Sequence, residues 1–422
     1  MASFAYRTSL PLDIYHNVFN ILAEQHDYGT LKSCLLLCHD LRPICTRSLF
    51  LRVDLIERLS FEHSTGNDIP VKKLHSLLMD DSTAIIGSYV QSLHVTFDPK
   101  DYISATGSVV DKRLPEALSK LSSVKTFTLT ARPLTRTISW DHLDPRFRAA
   151  VENIVISPCL ASLDITWTTS FPMVEIVEKS NIKHLRYVPM LVEDSPLSRN
   201  KVLRLNSLIF NGNAQSTIEK MVNACSLDGQ SLFDWTSLKF LGFSDMETDY
   251  NFVAVMLSRC VNLSEVKCEI YNSANLVNFM DPIYSSPRLR QLHTITVDVL
   301  DYTLKDQARR FTEELDRFPR HNSLHELHLI FYTQLREATM ETLYRELDDG
   351  IALFNAHFKK DIFPDLERLT IKLVANFWVD PKVIRDGPIQ KHMKSVAGMW
   401  FPLLKAQYGQ GFKFCVVPFV DR

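Results

Sequence analysis

One pattern recurs along most of this chain and limits what it can fold into. An apolar residue is followed by two of any kind, a second apolar residue, one of any kind and a third apolar residue, often with a fourth two further on. It reads Val90/Leu93/Val95/Phe97, Val124/Phe127/Leu129, Leu160/Leu163/Ile165/Trp167, Ile182/Leu185/Tyr187 and Leu205/Leu208/Phe210. It continues as Leu238/Leu241/Phe243, Leu263/Val266/Cys268/Ile270, Leu289/Leu292, Leu324/Leu327/Leu329/Phe331 and Leu366/Leu369/Ile371/Leu373. The alternation in the second half of each block puts its apolar side chains on one face of a short strand. Between blocks lie stretches with helical spacing, such as Phe252, Val253, Val255 and Met256, or Ala308, Phe311, Leu315 and Phe318. A single strand–helix unit cannot bury its apolar face alone, whereas stacked units share one continuous core.

The second apolar position returns at intervals of 22 to 42 residues. The shortest fall in the range of leucine-rich repeats, about 20–29 residues, and the longer ones require insertions. The expected fold class is therefore α/β, an irregular leucine-rich-repeat solenoid (horseshoe) over residues 90–375. Ten parallel strands at ~4.8 Å would make a sheet roughly 45 Å long. An ordinary α/β domain with several buried strands is the competing architecture. No asparagine recurs at a fixed place in the blocks, and Leu292, Ile295, Val297 and Val299 do not keep one register, which predicts a bulge or a shifted strand there. Residues 376–422 differ. Pro381 and the turn Asp386-Gly387-Pro388 precede a helical pattern (Ile389, Met393, Val396, Met399, Trp400, Leu403, Leu404) and an apolar strand, Phe412 to Val417. That segment is expected to cap the solenoid.

Composition removes several function classes. Forty-seven basic residues against forty-nine acidic ones, a net charge of -2, give no electrostatic case for nucleic acid or an anionic membrane. The twelve glycines form no phosphate-binding loop, and no Gly-x-Ser-x-Gly elbow occurs. No apolar run approaches the ~18 residues of a membrane helix, and Pro11, Asp13 and His16 break any secretory core at the start. Cytoplasmic and/or nuclear residence is expected, with the eight cysteines as small buried hydrophobes. His321, His325 and His328 share one face only if helical, and Leu324, Leu327 and Leu329 mark that stretch as a strand, so no metal site is assigned. Carboxylate pairs such as Asp80-Asp81 and Glu313-Glu314 read as solvated charges. No catalytic residue, no cofactor and no enzymatic activity are expected; an unrecognised α/β enzyme would need titratable groups gathered at strand ends.

Residues 9–52 have another character. Pro11 suits the first turn of a helix, and Ile14, Val18, Ile21 and Leu22 mark a face of it. Thr30 is placed to cap a second helix with Leu31, Cys34, Leu35 and Cys38 as its apolar side. Pro43 opens a third that ends near Leu49-Phe50. Three short helices bury too little to be secure alone. Residues 53–89 read as a helical connector.

The run Leu10-Pro11-x-Asp13-Ile14, then Val18, Leu22, Leu31, Cys34, Leu37-Cys38, Leu41 and Leu49-Phe50, resembles the F-box motif. Val71 to Leu78, followed by Tyr89-Val90-Gln91-Ser92-Leu93-His94-Val95, is similar to fungal F-box-like proteins, in which a short helix precedes a first repeat. The resemblance covers residues 9–97 by motif. It implies the substrate-recognition subunit of a Skp–cullin–F-box ubiquitin ligase: the F-box docks a Skp-type adaptor, through it a cullin, and the repeats bind an unknown target protein. By position it implies Leu10, Pro11, Ile14, Val18, Leu37 and Cys38 as adaptor-binding residues, with packing among the three helices as the plain reading of each. The alternative is a non-ligase leucine-rich-repeat interaction scaffold whose N-terminal helices merely cap the solenoid, with Leu10 and Pro11 buried and no apolar patch exposed.

In a repeat strand the residues between the apolar marks face the open, concave side. These are His94, Thr96, Thr128, Asp164, Thr166, Arg186, Ser244, Lys267, Glu269, His328, Ile330, Thr370 and Lys372. Of them, Asp164, Thr166, Arg186, Lys267, Glu269, His328 and Lys372 are the candidates for partner binding. Their mixed charge suits a protein or peptide ligand better than a polyanion; a partner that binds the loops instead is the other reading. The tryptophans at 140, 167, 235, 378 and 400 are possible interface anchors, Trp167 being at a core position.

Overall fold

The structure, a computed structural model, describes residues 12–25, 27–37, 39–56, 69–97, 112–131, 139–166, 171–172, 179–188, 202–211, 215–223, 231, 233–244, 250–272, 275–285, 291–300, 304–318, 322–335, 363–377 and 401–418. The chain divides into two compact units, Met1–Asn200 and Lys201–Arg422.

The first unit begins with helices α1 (Leu12–Glu24), α2 (Tyr28–Leu37) and α3 (Arg42–Leu49). They bury Phe19, Ala23, Leu31, Ile44 and Cys45 against one another. The cap of α2 is Asp27, not Thr30 as the sequence suggests. Its carboxylate accepts the Thr30 amide N–H (3.1 Å) and hydroxyl (2.6 Å), which satisfies a donor the first helical turn leaves over. Those bonds hold the Asp27 carboxyl below the ordinary range. Pro43 lies in the first turn of α3, where its missing N–H is harmless.

Strands then alternate with helices: β1 (Arg52–Ile56), α4 (Ile69–Met79), β2 (Ser92–Phe97), α5 (Arg113–Ser119), β3 (Thr126–Ala131), α6 (Pro145–Val155), β4 (Ser162–Thr166) and β5 (His184–Val188). Each strand pairs in parallel with the next in sequence, and the apolar marks align: Val53, Leu93, Phe127, Leu163 and Leu185 fall in one row. β1 was not expected. It lies in the segment read as a helical connector, and Phe50/Val53/Leu55 is the same pattern one block earlier than the series above. Trp140 is buried against Phe147 and, edge-on at 4.7 Å, Phe171, which removes it as an interface anchor.

The second unit repeats the alternation with β6 (Ser207–Phe210), α7 (Gln215–Asn223), β7 (Phe240–Ser244), α8 (Tyr250–Arg259), β8 (Glu265–Ile270), α9 (Leu276–Ser285), β9 (Thr294–Leu300), α10 (Leu304–Leu315), β10 (Glu326–Leu335), β11 (Arg368–Phe377), α11 (Pro402–Tyr408) and β12 (Phe412–Pro418). All of its described pairings are parallel and between sequence neighbours. Of the bulge or shifted strand expected near residue 292, there is no bulge: the ladder is regular and the marks are displaced. Leu292 is the first apolar mark of its block, and Ile295, Val297 and Val299 align with Val266, Cys268 and Ile270 on one side and with Leu327, Leu329 and Phe331 on the other. The Leu289/Leu292 reading was three residues out of phase; Leu289 itself lies outside the described residues. At the end, Phe401 packs on Phe412 and Phe414, and β12 adds to β11 as one more parallel strand. Of the helical pattern expected from Ile389 to Leu404, Leu403 and Leu404 fall in α11 and the rest lies outside the described residues. No described helix is long and apolar enough to cross a membrane.

One backbone device recurs. The carbonyl of the residue just before a strand accepts two consecutive amide N–H groups from the start of the next block. Leu51 accepts from Gln91 and Ser92, Gln91 from Lys125 and Thr126, Lys125 from Ala161 and Ser162, and Ala161 from Lys183 and His184. In the second unit Asn206, Lys239, Ser264, His293 and His325 do the same toward 239–240, 264–265, 293–294, 325–326 and 367–368. All these bonds are 2.7–3.1 Å long. A carbonyl oxygen has two lone pairs, so one group satisfies two donors where the chain enters the sheet. Lys125→Pro removes a donor while leaving the exposed side chain's role minor; it is expected to lower stability by about 2 kcal/mol. Lys125→Ala should stay near the wild type. Urea unfolding of both variants checks this, and equal midpoints would count against the device.

Candidate protein-interaction surfaces

Two kinds of surface stand out, and the first is on α1. Its core side is Phe19 and Ala23, with Tyr15 and Leu22 partly buried beside them. Ile14, Val18 and Ile21, at i, i+4 and i+7, lie on a different face and are 42%, 45% and 50% exposed. The sequence placed Ile21 and Leu22 together; the structure separates them, because the helical period carries Leu22 toward the core. The helix therefore has two apolar faces, only one of them used inside the bundle. Leu10, Pro11 and Cys38 lie outside the described residues, and Leu37 is in α2 with its side chain outside them. Leu36, on the same helix, is strongly exposed.

The second kind is the polar face of the strands. In the first unit it carries the rows Arg52, Ser92, Thr126, Ser162 and His184, then Asp54, His94, Thr128, Asp164 and Arg186, then Thr96, Thr130 and Thr166. Asp164 and Arg186 face each other at 3.9 Å, and the Thr166 hydroxyl donates to that of Thr130 at 3.0 Å. Burial pushes the Asp164 carboxyl above its usual range, against the pull of Arg186 and His94. One Asp164 oxygen is buried without a donor. Thr96, expected to be open, is itself buried.

In the second unit Lys267 sits between Glu269 (3.2 Å) and Asp298 (2.9 Å). Asp298 was not among the sequence candidates. The phase error over its block hid that it stands on the polar face between Glu269 and Ile330. It is only 3% exposed, and its second oxygen has no donor. An ion pair should lower a carboxyl's pKa, yet Asp298 is raised. Desolvation dominates because the carboxylate is the buried member, and the bond from Lys267 opposes it only in part. Lys267, the more open partner, loses to burial but gains more from Asp298 and Glu269, so its pKa rises. Further along, Glu326 uses one oxygen on Arg368 (2.7 Å) and the other on His328 (3.3 Å). Thr370 and Lys372 continue the face on β11, whereas Ser244 on β7 is buried. His325 precedes β10 and packs its ring 5.0 Å from that of His293; His321 lies outside the described residues. Among the described residues no group of three or more His, Cys, Asp and Glu could hold a metal ion.

No protein-family model matches the chain, and no curated protein resembles it significantly.

Because Asp298 is raised in the folded state, its contribution to stability is present in acid and lost as pH rises through its folded value. Asp298→Asn should therefore gain on the wild type as pH rises from about 4 toward 7. Lys267→Met strands the carboxylate and should cost about 2 kcal/mol at neutral pH, most of it recovered by adding Asp298→Asn. Urea midpoints across pH check both; a wild-type advantage that grows with pH would contradict the assignment.

Proposed function

We propose that this chain is the substrate-recognition subunit of a Skp–cullin–F-box ubiquitin ligase. Helices α1–α3 are its F-box, and the polar strand faces of an irregular leucine-rich-repeat solenoid are its target reader. The observation that carries the reading is the second apolar face of α1. Two of its members, Ile14 and Val18, are among the residues for which the F-box resemblance implies adaptor contact. A bundle whose buried core is only five residues gains little by leaving three aliphatic residues in water, unless a partner covers them. A helical module serving only as a solenoid cap gives no reason for that face. The repeat reading is supported by the recurring pattern, by strands that pair in sequence order, and by the shared carbonyl at nine strand entries. In this reading the chain performs no chemistry; other subunits transfer ubiquitin.

The test is binding of purified Skp adaptor to the full chain. Ile14→Asp/Val18→Asp should weaken it at least about tenfold, since each charge would have to be buried at the interface. Both positions are exposed, so the circular dichroism spectrum should not change. A folded wild type that fails to bind the adaptor would sink the ligase reading and favour the scaffold.

A further inference from the structure

The polar face of the second unit is segregated by charge. β8, β9 and β10 carry Glu265, Glu269, Asp298 and Glu326 there, with Lys267 and His328 the only bases among the described residues. β11 and β12 carry Arg368, Lys372 and Lys413, and no carboxylate among the described residues. Phe412 and Phe414 pack on Phe401, so Lys413 between them turns to the polar side.

The two halves do not neutralise each other. Among the described residues Arg368 makes the one ion pair across the boundary, to Glu326, and Lys372 reaches Asp298 only as a longer-range attraction. Glu265 has no ion-pair partner within 4.0 Å among the described residues, and neither have Lys372 and Lys413. Lys267 shares its one charge between two carboxylates. The second oxygen of Asp298, shut away from water, still lacks a donor.

Resting on the reading of this face as the target reader, we propose that it takes a protein segment of paired opposite charge. One basic side chain sits over Glu269, beside Asp298, and one acidic side chain sits over Lys372 and Lys413. Arginine fits the basic position better than lysine. Its planar fork can donate two parallel hydrogen bonds to the accessible Glu269 carboxylate, where an ammonium acts as a point charge. A polyanion or a polycation meets repulsion from one half of the face, which gives selectivity as well as attraction. The centres of the two halves are three strand steps apart, about 14 Å at ~4.8 Å per step. An extended segment covers that in about four residues at ~3.4 Å each.

A random peptide library displayed on phage and selected on the full chain tests this. The expected pool carries a basic and an acidic residue about four positions apart. Selection on Lys372→Glu/Lys413→Glu should replace the acidic residue by a basic one. Wild-type peptides should bind that variant at least about tenfold more weakly. Lys372→Gln/Lys413→Gln, the milder change, should weaken them without reversing the preference. Ile330→Trp, which plugs the middle of the face, should abolish binding. Peptides that Ile330→Trp abolishes but that lack the charge pair, or whose charges ignore the lysine reversal, would overturn this inference and leave the reader function standing. An empty pool, or one indifferent to Ile330→Trp, would overturn both.

Discussion

A single carbonyl oxygen accepting two consecutive amide groups, at nine of the strand entries, is the constraint from which the rest of this structure follows. It fixes where one block begins relative to the previous one, and in a parallel sheet that start sets the register of every later residue. The device explains the form of the repeated pattern. In apolar-x-x-apolar, the first x supplies the carbonyl and both x positions supply the amides: Gln91 and Ser92, Lys125 and Thr126, Ser264 and Glu265, His325 and Glu326. The apolar residue before them, such as Val124, Leu263 or Leu324, is buried beneath the turn. Regular repeat proteins can close this turn with a conserved side chain. Here the backbone suffices, helped in places by side chains, as where Asn262 donates to the Thr236 carbonyl at 2.8 Å and Ser237 to that of Leu205 at 2.9 Å.

That economy decides how much was legible in the sequence. The apolar marks are side chains, so the strands with full blocks, such as Leu163/Ile165 or Leu327/Leu329, could be placed from the pattern alone. The carbonyls belong to leucine, glutamine, lysine, alanine, asparagine, serine and histidine alike, so nothing in the sequence marks the spine itself. Where the marks were ambiguous, the reading slipped. At Leu289/Leu292 two leucines at the right spacing outbid the true set Leu292/Ile295/Val297/Val299, and a bulge or a shifted strand was expected where the ladder is regular. At β1 the block Phe50/Val53/Leu55 was divided, Phe50 going to the helical module whose last helix it closes and Val53 and Leu55 to the connector after it.

The candidate surfaces were legible to different degrees for the same reason. Polar positions between aligned apolar marks could be read off directly, hence Asp164, Arg186, Lys267, Glu269 and His328. Asp298 could not, since its block was out of phase. Burial of individual members was also beyond the sequence: Thr96 and Ser244 hold open-face positions yet are covered. On α1 the helical period was visible but not which of two apolar stripes faces inward. Phe19 settles it, because one large ring filling the small core between α2 and α3 turns Ile14, Val18 and Ile21 outward.

These features meet in how the sheet's two faces divide their work. The buried face is uniform, row upon row of aliphatic and aromatic side chains, because a core shared between blocks rewards any residue that fills space. The polar face carries no such demand, and the backbone spine holds the register whatever side chains stand on it. Charged groups can therefore be arranged there without regard to folding, even at some cost. Asp298, desolvated and half-satisfied, is such a cost. The proposed reader gives that buried carboxylate a use that packing alone does not supply.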